Sequence, residues 1–346
     1  MAGNLTSDDR TRLTGWLADL AGGAVRILAT ERLSGGAIQE NHRLEIDVTG
    51  GTWPGHHDLV LRRDAASAVA TSHSRAEEFA LLKAAHSAGV TVPTPCVLCE
   101  DNGVLGVPFF LMHRVRGEAR GGRLVREAPN ADLVRALGEN LAHIHSITPR
   151  GADLAFLGPP PQDPARAAVA QYGTYLDALP DPHPAVEWGL AWLADHAPPP
   201  GAIVLCHRDY RTGNLMIDGG TLSATLDWEF AGWSDPLEDI GWFLAKCWRF
   251  GRWEEEAGGL GPQRAFLAGY EDASGRTVDP AAVTYWQVMA HVRWAVIALQ
   301  QAWRHVSGEE PSLELALTAH VVPELEAEIL AMTGDPRGER SRAAPP

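Results

Sequence analysis

The chain has 346 residues, of which 45% are hydrophobic and 21% charged, and its formal net charge is −15. This composition excludes wholesale disorder, and the length predicts two lobes with separate cores. The acidic balance argues against a nucleic-acid partner, which requires clustered Lys and Arg.

The N-terminus is polar and shows no secretion signal, and no apolar run is long enough for a membrane helix. We therefore expect a soluble, cytoplasmic protein without a membrane partner.

The first third of the sequence is rich in predicted strands. Alternating residues 41–48 predict one strand, 58–63 a second and 107–112 a third, while 71–88 carries a helical apolar stripe. The CxxC spacing at Cys96 to Cys99 lies in another extended segment. Because no second Cys pair or matching His follows, we interpret it as reduced packing cysteines rather than a zinc or redox site.

After residue 117 helical patterns dominate, with one hairpin expected around the Asp-Gly-Gly turn at 218–220. The predicted helices cover residues 131–147, 171–179, 185–196, 237–250, 283–305 and 313–332. The pattern predicts an α+β fold with a strand-rich N-lobe (1–115), a mostly helical C-lobe (116–336) and a disordered tail (337–346). A cleft between such lobes is the expected ligand site.

The most informative segment runs from Cys206 to Asn214 and contains H-R-D-x-x-x-x-N, the catalytic-loop signature of kinases. Phosphoryl transfer needs a carboxylate to orient and deprotonate the attacking hydroxyl, and oxygen ligands for Mg²⁺. We assign the first role to Asp209 and one of the second to Asn214. His207 is interpreted as packing beneath the loop and bonding its backbone.

The predicted hairpin supplies a second metal ligand. If Asn214 lies opposite Thr225, then Asp227 is its diagonal neighbour, about 7–8 Å away between α-carbons. Two short oxygen-bearing side chains at that separation can reach metal ions on the same phosphates. Asp227 is therefore predicted to be the stronger metal ligand.

The first lobe should hold the nucleotide phosphates. Gly35 and Gly36 lie between two strands, as a phosphate-covering loop would. Arg62, rather than Arg63, shares the inward strand face and is the candidate clamp for the α- and β-phosphates. Glu78 lies on the inward stripe of the following helix and is the candidate partner that holds the guanidinium. The alternative is that these are ordinary surface charges.

The residues from His207 to Asn214, the Asp-Trp-Glu at 227–229 and the segment 234–242 resemble the aminoglycoside phosphotransferase family of small-molecule kinases. The resemblance extends from about Leu33 to Leu330. Its nearest branch comprises kinase domains associated with acyl-CoA dehydrogenases, some of which act on hydroxyacyl-CoA thioesters. One departure is Arg208, which stands where the family more often has Gly.

The resemblance implies a protein-kinase-like two-lobed fold that binds ATP and Mg²⁺. It also implies that the backbones of His113 and Val115 meet the adenine edge. The expected reaction is transfer of the γ-phosphoryl group to a small-molecule hydroxyl, for which a hydroxyacyl-CoA is the favoured acceptor.

Two alternatives remain open. One is an aminoglycoside-type antibiotic phosphotransferase, which the net charge favours. The other is a catalytically weak nucleotide-binding regulatory protein. The acidic cluster Asp235, Glu238 and Asp239 either caps a helix or docks a cationic substrate. The sequence leaves the choice between ATP and GTP and the oligomeric state open.

Overall fold

The computed structural model describes residues 5–33, 39–64, 72–127, 129–151 and 153–334. The chain divides into two compact units, and each unit combines three separate segments of the chain. Unit 1 comprises Met1–Ala119, Arg150–Gly158 and Gly213–Ala231. Unit 2 comprises Arg120–Pro149, Pro159–Thr212 and Gly232–Pro346.

Strands and helices alternate early in the chain and helices predominate later. The strands are β1 (Ala24–Arg32), β2 (Gln39–Thr49), β3 (Gly55–Asp64), β4 (Pro95–Cys99), β5 (Phe109–His113), β6 (Val204–Cys206), β7 (Leu215–Asp218), β8 (Thr221–Thr225) and β9 (Gly232–Ser234). The helices are α1 (Ser7–Ala21), α2 (Arg75–Ser87), α3 (Asn102–Leu105), α4 (Gly121–Leu124), α5 (Ala131–Ile144), α6 (Pro164–Asp177), α7 (Pro184–Asp195), α8 (Pro236–Leu244), α9 (Gln263–Ser274), α10 (Pro280–Val306), α11 (Leu313–Thr318) and α12 (Val322–Thr333).

Unit 1 is built on an antiparallel five-stranded sheet with the order β1-β2-β3-β5-β4. Leu44 and Ile46 of β2 and Leu59 and Leu61 of β3 are fully buried in one apolar cluster that includes residues of α1. Because side chains alternate across a strand, Arg62 lies on the opposite face of the sheet from that cluster.

Helix α2 lies in unit 1 and begins with a capping box. The side chain of Ser74 accepts from the amide of Glu77, and the carboxylate of Glu77 accepts from the amide of Ser74. This reciprocal pairing satisfies two otherwise unpaired donors at the helix start. It leaves the neighbouring Glu78 available to turn inward, where it is buried.

Unit 2 is mainly helical. One apolar cluster of this unit includes residues of α6, α7, α10 and α12, with Trp286 of α10 among its most buried side chains. Helices α5 and α9 approach closely at Gly138, where an added β-carbon would lie 2.1 Å from the carbonyl oxygen of Phe266. Only glycine allows that approach.

The α+β prediction, with a strand-rich first part and a helical second part, is confirmed. The predicted helix 237–250 is too long, because α8 ends at Leu244 and Ala245 is extended (ψ 141°) before a 3-10 helix at Lys246–Trp248. The predicted helix 313–332 is two helices, of which the second has a proline in its first turn. Helix α1 and strand β1 were not predicted. Within the described ranges, no helix is long and apolar enough to cross a membrane.

Candidate active site

The catalytic-loop motif follows β6 in unit 2, and its backbone is anchored by one buried carboxylate. Asp239 of α8 accepts hydrogen bonds from the amides of His207 and Arg208, each at 2.7 Å, and lies 3.1 Å from Nε2 of His145. Both carboxylate oxygens are thus occupied by donors. Asp239 therefore fixes the start of the loop that carries Asp209.

The electrostatics of Asp239 match this structural role. Burial alone would raise its pKa, but the hydrogen bonds and charges of His145 and His207 outweigh burial and hold the pKa below its usual value. Burial lowers the pKa of His145, against the opposing effect of Asp239. His145, Cys206 and Asp239 could offer three ligands to a metal ion. Because the carboxylate already accepts two amides, we assign the group to support of the loop.

Asp209 is 9% exposed and is held by two side chains of unit 2. Nε of Arg211 lies 3.0 Å from Oδ1 and 3.3 Å from Oδ2, and Nε1 of Trp242 donates to Oδ1 at 3.0 Å. The guanidinium of Arg211 also lies over the ring of Trp248, 4.9 Å from its centroid. These contacts orient the carboxylate that the sequence marks as the candidate base.

His207 is fully buried, and its Nδ1 accepts from the amide of Asp209 at 3.3 Å. The adjacent Arg208 has a left-handed backbone (φ 61°), a conformation that favours glycine. Its guanidinium bonds Glu238 at 3.1 Å, and the charge of Glu238 raises its pKa despite burial. The ion pair helps to explain how arginine is accommodated where the resembling family more often has glycine.

The acidic cluster at the start of α8 does not form a docking surface. Asp235 caps the helix by accepting from the amide of Leu237, Glu238 pairs with Arg208 and Arg293, and Asp239 holds the loop. The three residues are 8%, 6% and 0% exposed. The interpretation as a site for a cationic substrate is therefore wrong, because these carboxylates are buried and already bonded.

The hairpin β7–β8 belongs to unit 1, and its register differs from the prediction by one residue. Leu215, not Asn214, lies opposite Thr225, because the pairing shifts between Met216 and Ile217. Such a bulge places an extra residue in one strand and displaces the ladder. The carbonyl of Asn214 instead accepts from the amide of Leu226 at 2.8 Å, so Asp227 directly follows its partner.

The structure brings three of the predicted residues of unit 1 together. Nη2 of Arg62 lies 2.6 Å from Oδ1 of Asp227 and 2.9 Å from Oε1 of Glu78, while its Nε donates to Oε2 of Glu78 at 3.0 Å. Arg63 points to the other face and pairs with Glu40 at 2.8 Å. The side chain of Arg62 is 9% exposed and that of Asp227 is 29% exposed. Asp227 also has a left-handed backbone (φ 67°).

A second arginine, Arg75, completes this cluster and was not predicted. Its side chain is fully buried, and it bonds Glu78, Asp64 at 2.8 Å and the carbonyl of His73 at 3.0 Å. Burial lowers its pKa, together with the charge of Arg62. No sequence signal marks this role, because an arginine in the first turn of a helix is ordinarily a solvent-exposed residue.

The remaining predicted residues are less defined by contacts. His113 ends β5, and its amide donates to the carbonyl of Thr94 at 2.9 Å. Val115 follows in coil. Gly35 and Gly36 lie outside the described residues. The adenine contacts of His113 and Val115 and the phosphate-covering role of the glycines stay predictions.

An antiparallel sheet with a buried Arg–Glu pair and a helical unit with an anchored H-R-D loop are features of the protein-kinase-like fold. The model of the phosphotransferase enzyme family matches residues 29–283. The chain belongs to this family.

Two curated relatives of the chain are acyl-CoA dehydrogenase family members. The chain is 30% identical over 194 residues to acyl-CoA dehydrogenase family member 10 of Mus musculus, covering 53% of the chain and 18% of that relative. It is 26% identical over 291 residues to acyl-CoA dehydrogenase family member 11 of Pongo abelii, covering 78% of the chain and 37% of the relative. The chain thus spans well under half of these longer proteins.

Solved structures show the same fold. A putative aminoglycoside phosphotransferase from Ralstonia eutropha JMP134 superposes with a TM-score of 0.75 at 19% identity, covering 94% of this chain and 98% of that one. A thermostable mutant of aminoglycoside phosphotransferase APH(4)-Ia, in ternary complex with ADP and hygromycin B, has a TM-score of 0.59 at 17% identity, with coverages of 93% and 99%.

Proposed function

We propose that this protein transfers the γ-phosphoryl group of ATP to a hydroxyl of a metabolic compound such as a hydroxyacyl-CoA. The observation that carries the proposal is the cluster in unit 1, where Arg62 lies within 3 Å of both Glu78 and Asp227. A clamp cation and a metal-binding carboxylate held together in this way are the parts that phosphoryl transfer requires. A solved structure of the same fold with bound ADP supports nucleotide binding.

Unit 1 supplies the groups for the nucleotide. Asp227 and Asn214 offer carboxylate and amide oxygens, the donors that Mg²⁺ prefers, and the partial exposure of Asp227 leaves it accessible. When bound, the metal would neutralise charge on the phosphates. Arg62 would then exchange its bond to Asp227 for the α- and β-phosphates, while Glu78 keeps hold of the guanidinium. Gly35 and Gly36 would cover the phosphates, and His113 and Val115 would meet the adenine.

Unit 2 supplies the base. The acceptor oxygen attacks the γ-phosphorus as the bond to ADP breaks, and Asp209 takes the hydroxyl proton. Trp242 and Arg211 orient the carboxylate of Asp209. The main contribution of the protein to catalysis is then to position the reacting groups.

The choice of acceptor class is supported by the branch that the motifs resemble and by the names of the curated relatives, which are acyl-CoA dehydrogenase family members. The burial of Asp235, Glu238 and Asp239 weakens the case for a cationic antibiotic, because the acidic cluster is not available to bind it. The presence of Asp209, Asn214 and Asp227 together argues against a catalytically weak regulatory protein. A solved structure with this fold binds GDP, so GTP should be compared with ATP as the phosphoryl donor.

The test is mass-spectrometric detection of acceptor-dependent phosphate addition, followed by kcat/KM for a short hydroxyacyl-CoA and for kanamycin on one preparation. We expect the thioester to be the better substrate. Asp209→Asn should lower turnover by about 10²–10⁴-fold and leave Mg-nucleotide affinity nearly unchanged. Near-normal turnover in this variant would refute the mechanism, and aminoglycoside values near the top of the usual range of about 10⁴–10⁸ M⁻¹s⁻¹ would reverse the acceptor choice.

A further inference from the structure

A small cavity lies in unit 2 where α6, α8 and α10 meet. Tyr172 reaches it from α6, Glu238 and Trp242 from α8, and Trp286 and Arg293 from α10. None of these five residues is more than 8% exposed. The cavity has a volume of about 10 Å³, so it admits one oxygen-sized group and neither a sugar ring nor an alkyl chain.

Two of the residues that line the cavity each carry one unpaired hydrogen-bond donor. Nε of Arg293 and Nε1 of Trp286 are buried, and neither finds an acceptor in the part of the chain that the structure describes. Buried donors without acceptors are rare because each costs free energy. Two of them on residues that line one cavity therefore favour an oxygen there that accepts from both.

The charge around the cavity favours an electron-rich oxygen. Arg208 and Arg293 bond the same carboxylate oxygen of Glu238, at 3.1 and 3.3 Å. Two guanidinium groups against one carboxylate leave this set with a net positive charge. A cationic amine would be repelled at this position, whereas a carbonyl or carboxylate oxygen would be attracted.

The cavity and the candidate base share one indole ring. Nε1 of Trp242 donates to Oδ1 of Asp209 at 3.0 Å, and the guanidinium carbon of Arg293 lies 4.3 Å from the centroid of a Trp242 ring. Trp242 also lines the cavity. A compound whose hydroxyl meets Asp209 could therefore place a second oxygen in the cavity if the two groups lie a few bonds apart.

We propose that this cavity is an acceptor subsite, in which Nε–H of Arg293 and Nε1–H of Trp286 bind one carbonyl or carboxylate oxygen of the compound that is phosphorylated. This inference rests on the proposed phosphotransfer and narrows the acceptor to hydroxy compounds that carry such an oxygen. Arg293 and Trp286 then determine specificity, while Asp209 performs the chemistry.

The first experiment compares three probes with the full chain and MgATP. These are 3-hydroxybutyrate, 3-hydroxybutyramide and 2-butanol, which share the secondary hydroxyl and differ in the oxygen group. We expect kcat/KM to be at least about tenfold higher for the oxygen-bearing probes than for 2-butanol, which corresponds to about 1.4 kcal/mol. A higher kcat/KM for 3-hydroxybutyrate than for 3-hydroxybutyramide would identify the bound group as a carboxylate. Equal kcat/KM for these two compounds, both above that for 2-butanol, would identify it as a carbonyl. Equal values for all three overturn the subsite.

The second experiment removes one donor and keeps the ring. Trp286→Phe should raise KM for 3-hydroxybutyrate about tenfold and leave 2-butanol kinetics and KM for ATP unchanged. Arg293→Lys keeps a cation beside Glu238 but loses the directed Nε–H, so it should also raise KM for 3-hydroxybutyrate. Trp192→Phe, in α7 and outside the cavity lining, is the control and should change nothing. If the variants lose the same activity with every probe, or lose none, the cavity holds only water or serves packing.

Direct binding separates this inference from the phosphotransfer on which it rests. Binding of 3-hydroxybutyrate without nucleotide can be followed by tryptophan fluorescence, because Trp242 and Trp286 line the cavity. If no probe is phosphorylated, yet 3-hydroxybutyrate binds and Trp286→Phe weakens it, the phosphotransfer fails and the subsite stands. If all probes are phosphorylated alike and this binding is absent, the subsite fails and the phosphotransfer stands.

Discussion

Glu78 holds two buried guanidinium groups on one carboxylate, and Glu78→Gln measures what that arrangement contributes to stability. Its oxygens accept from Arg62 at 3.0 and 2.9 Å and also from Arg75. The side chains of Glu78, Arg62 and Arg75 are 4%, 9% and 0% exposed, so water screens their charges little. Breaking a buried pair by removing one partner usually costs about 3–5 kcal/mol. Because Arg62 keeps Asp227 and Arg75 keeps Asp64, we expect a loss near the low end, about 3 kcal/mol.

The assay is urea denaturation of the wild-type protein and of Glu78→Gln under identical conditions, and the quantity compared is the free energy of unfolding. Glu77→Gln is the matched control, since it lies one residue away and glutamine also completes a capping box. We expect this control to be close to wild type. A loss below about 1 kcal/mol in Glu78→Gln, or one no larger than in the control, would show that the shared carboxylate adds no more than an exposed ion pair.

The other predictions concern the metal ligand, the clamp and the helix cap. Asp227→Ala should abolish Mg-dependent nucleotide binding, and calorimetry that still detects binding would contradict the metal assignment. Arg62→Ala should raise KM for ATP more than Arg63→Ala, because Arg63 pairs with Glu40 on the other sheet face; the reverse order in steady-state kinetics would disprove the assignment. Burial raises the pKa of Asp235 to about 6, so the folded state holds its proton longer than the unfolded state and stability falls as pH rises from about 4 to 6. Asp235→Asn should remove that loss and be more stable than wild type at pH 7, by up to about 3 kcal/mol in denaturation experiments, and equal to it near pH 4.

Much of the candidate site was predictable because its residues lie in short motifs with fixed spacing. Asp209, Asn214 and Asp227 were found from the catalytic loop and the following hairpin, and alternation along β3 distinguished Arg62 from Arg63. The register of the hairpin was not predictable. The bulge near Ile217 is a single extra residue, and no turn residue in the sequence marks where it falls.

The supporting residues were missed because their roles depend on tertiary contacts. Arg75 in the first turn of α2 and His145 at the end of α5 carry no motif of their own. Trp242 and Asp239 on α8 lie in the segment 234–242 that carries the family resemblance, but far from Asp209 in the sequence. An amphipathic pattern indicates that such residues face inward, but it does not show which polar partner they meet. Helix α1 was missed for a related reason, since its apolar stripe is short and its first turn is polar.

Two residues of the motif-bearing loops show how tertiary contacts set their geometry. In the described residues, the non-glycine positions with positive φ are Arg208, Asp227 and Phe250. A left-handed backbone costs an L-residue roughly 1–2 kcal/mol, less for aspartate. Arg208 is held there by Glu238, and Asp227 is held by Arg62. Each ion pair fixes a side chain whose backbone alone would prefer another conformation. The sequence motifs therefore identify the residues of these loops, whereas their buried ion-pair partners fix the orientation of their side chains.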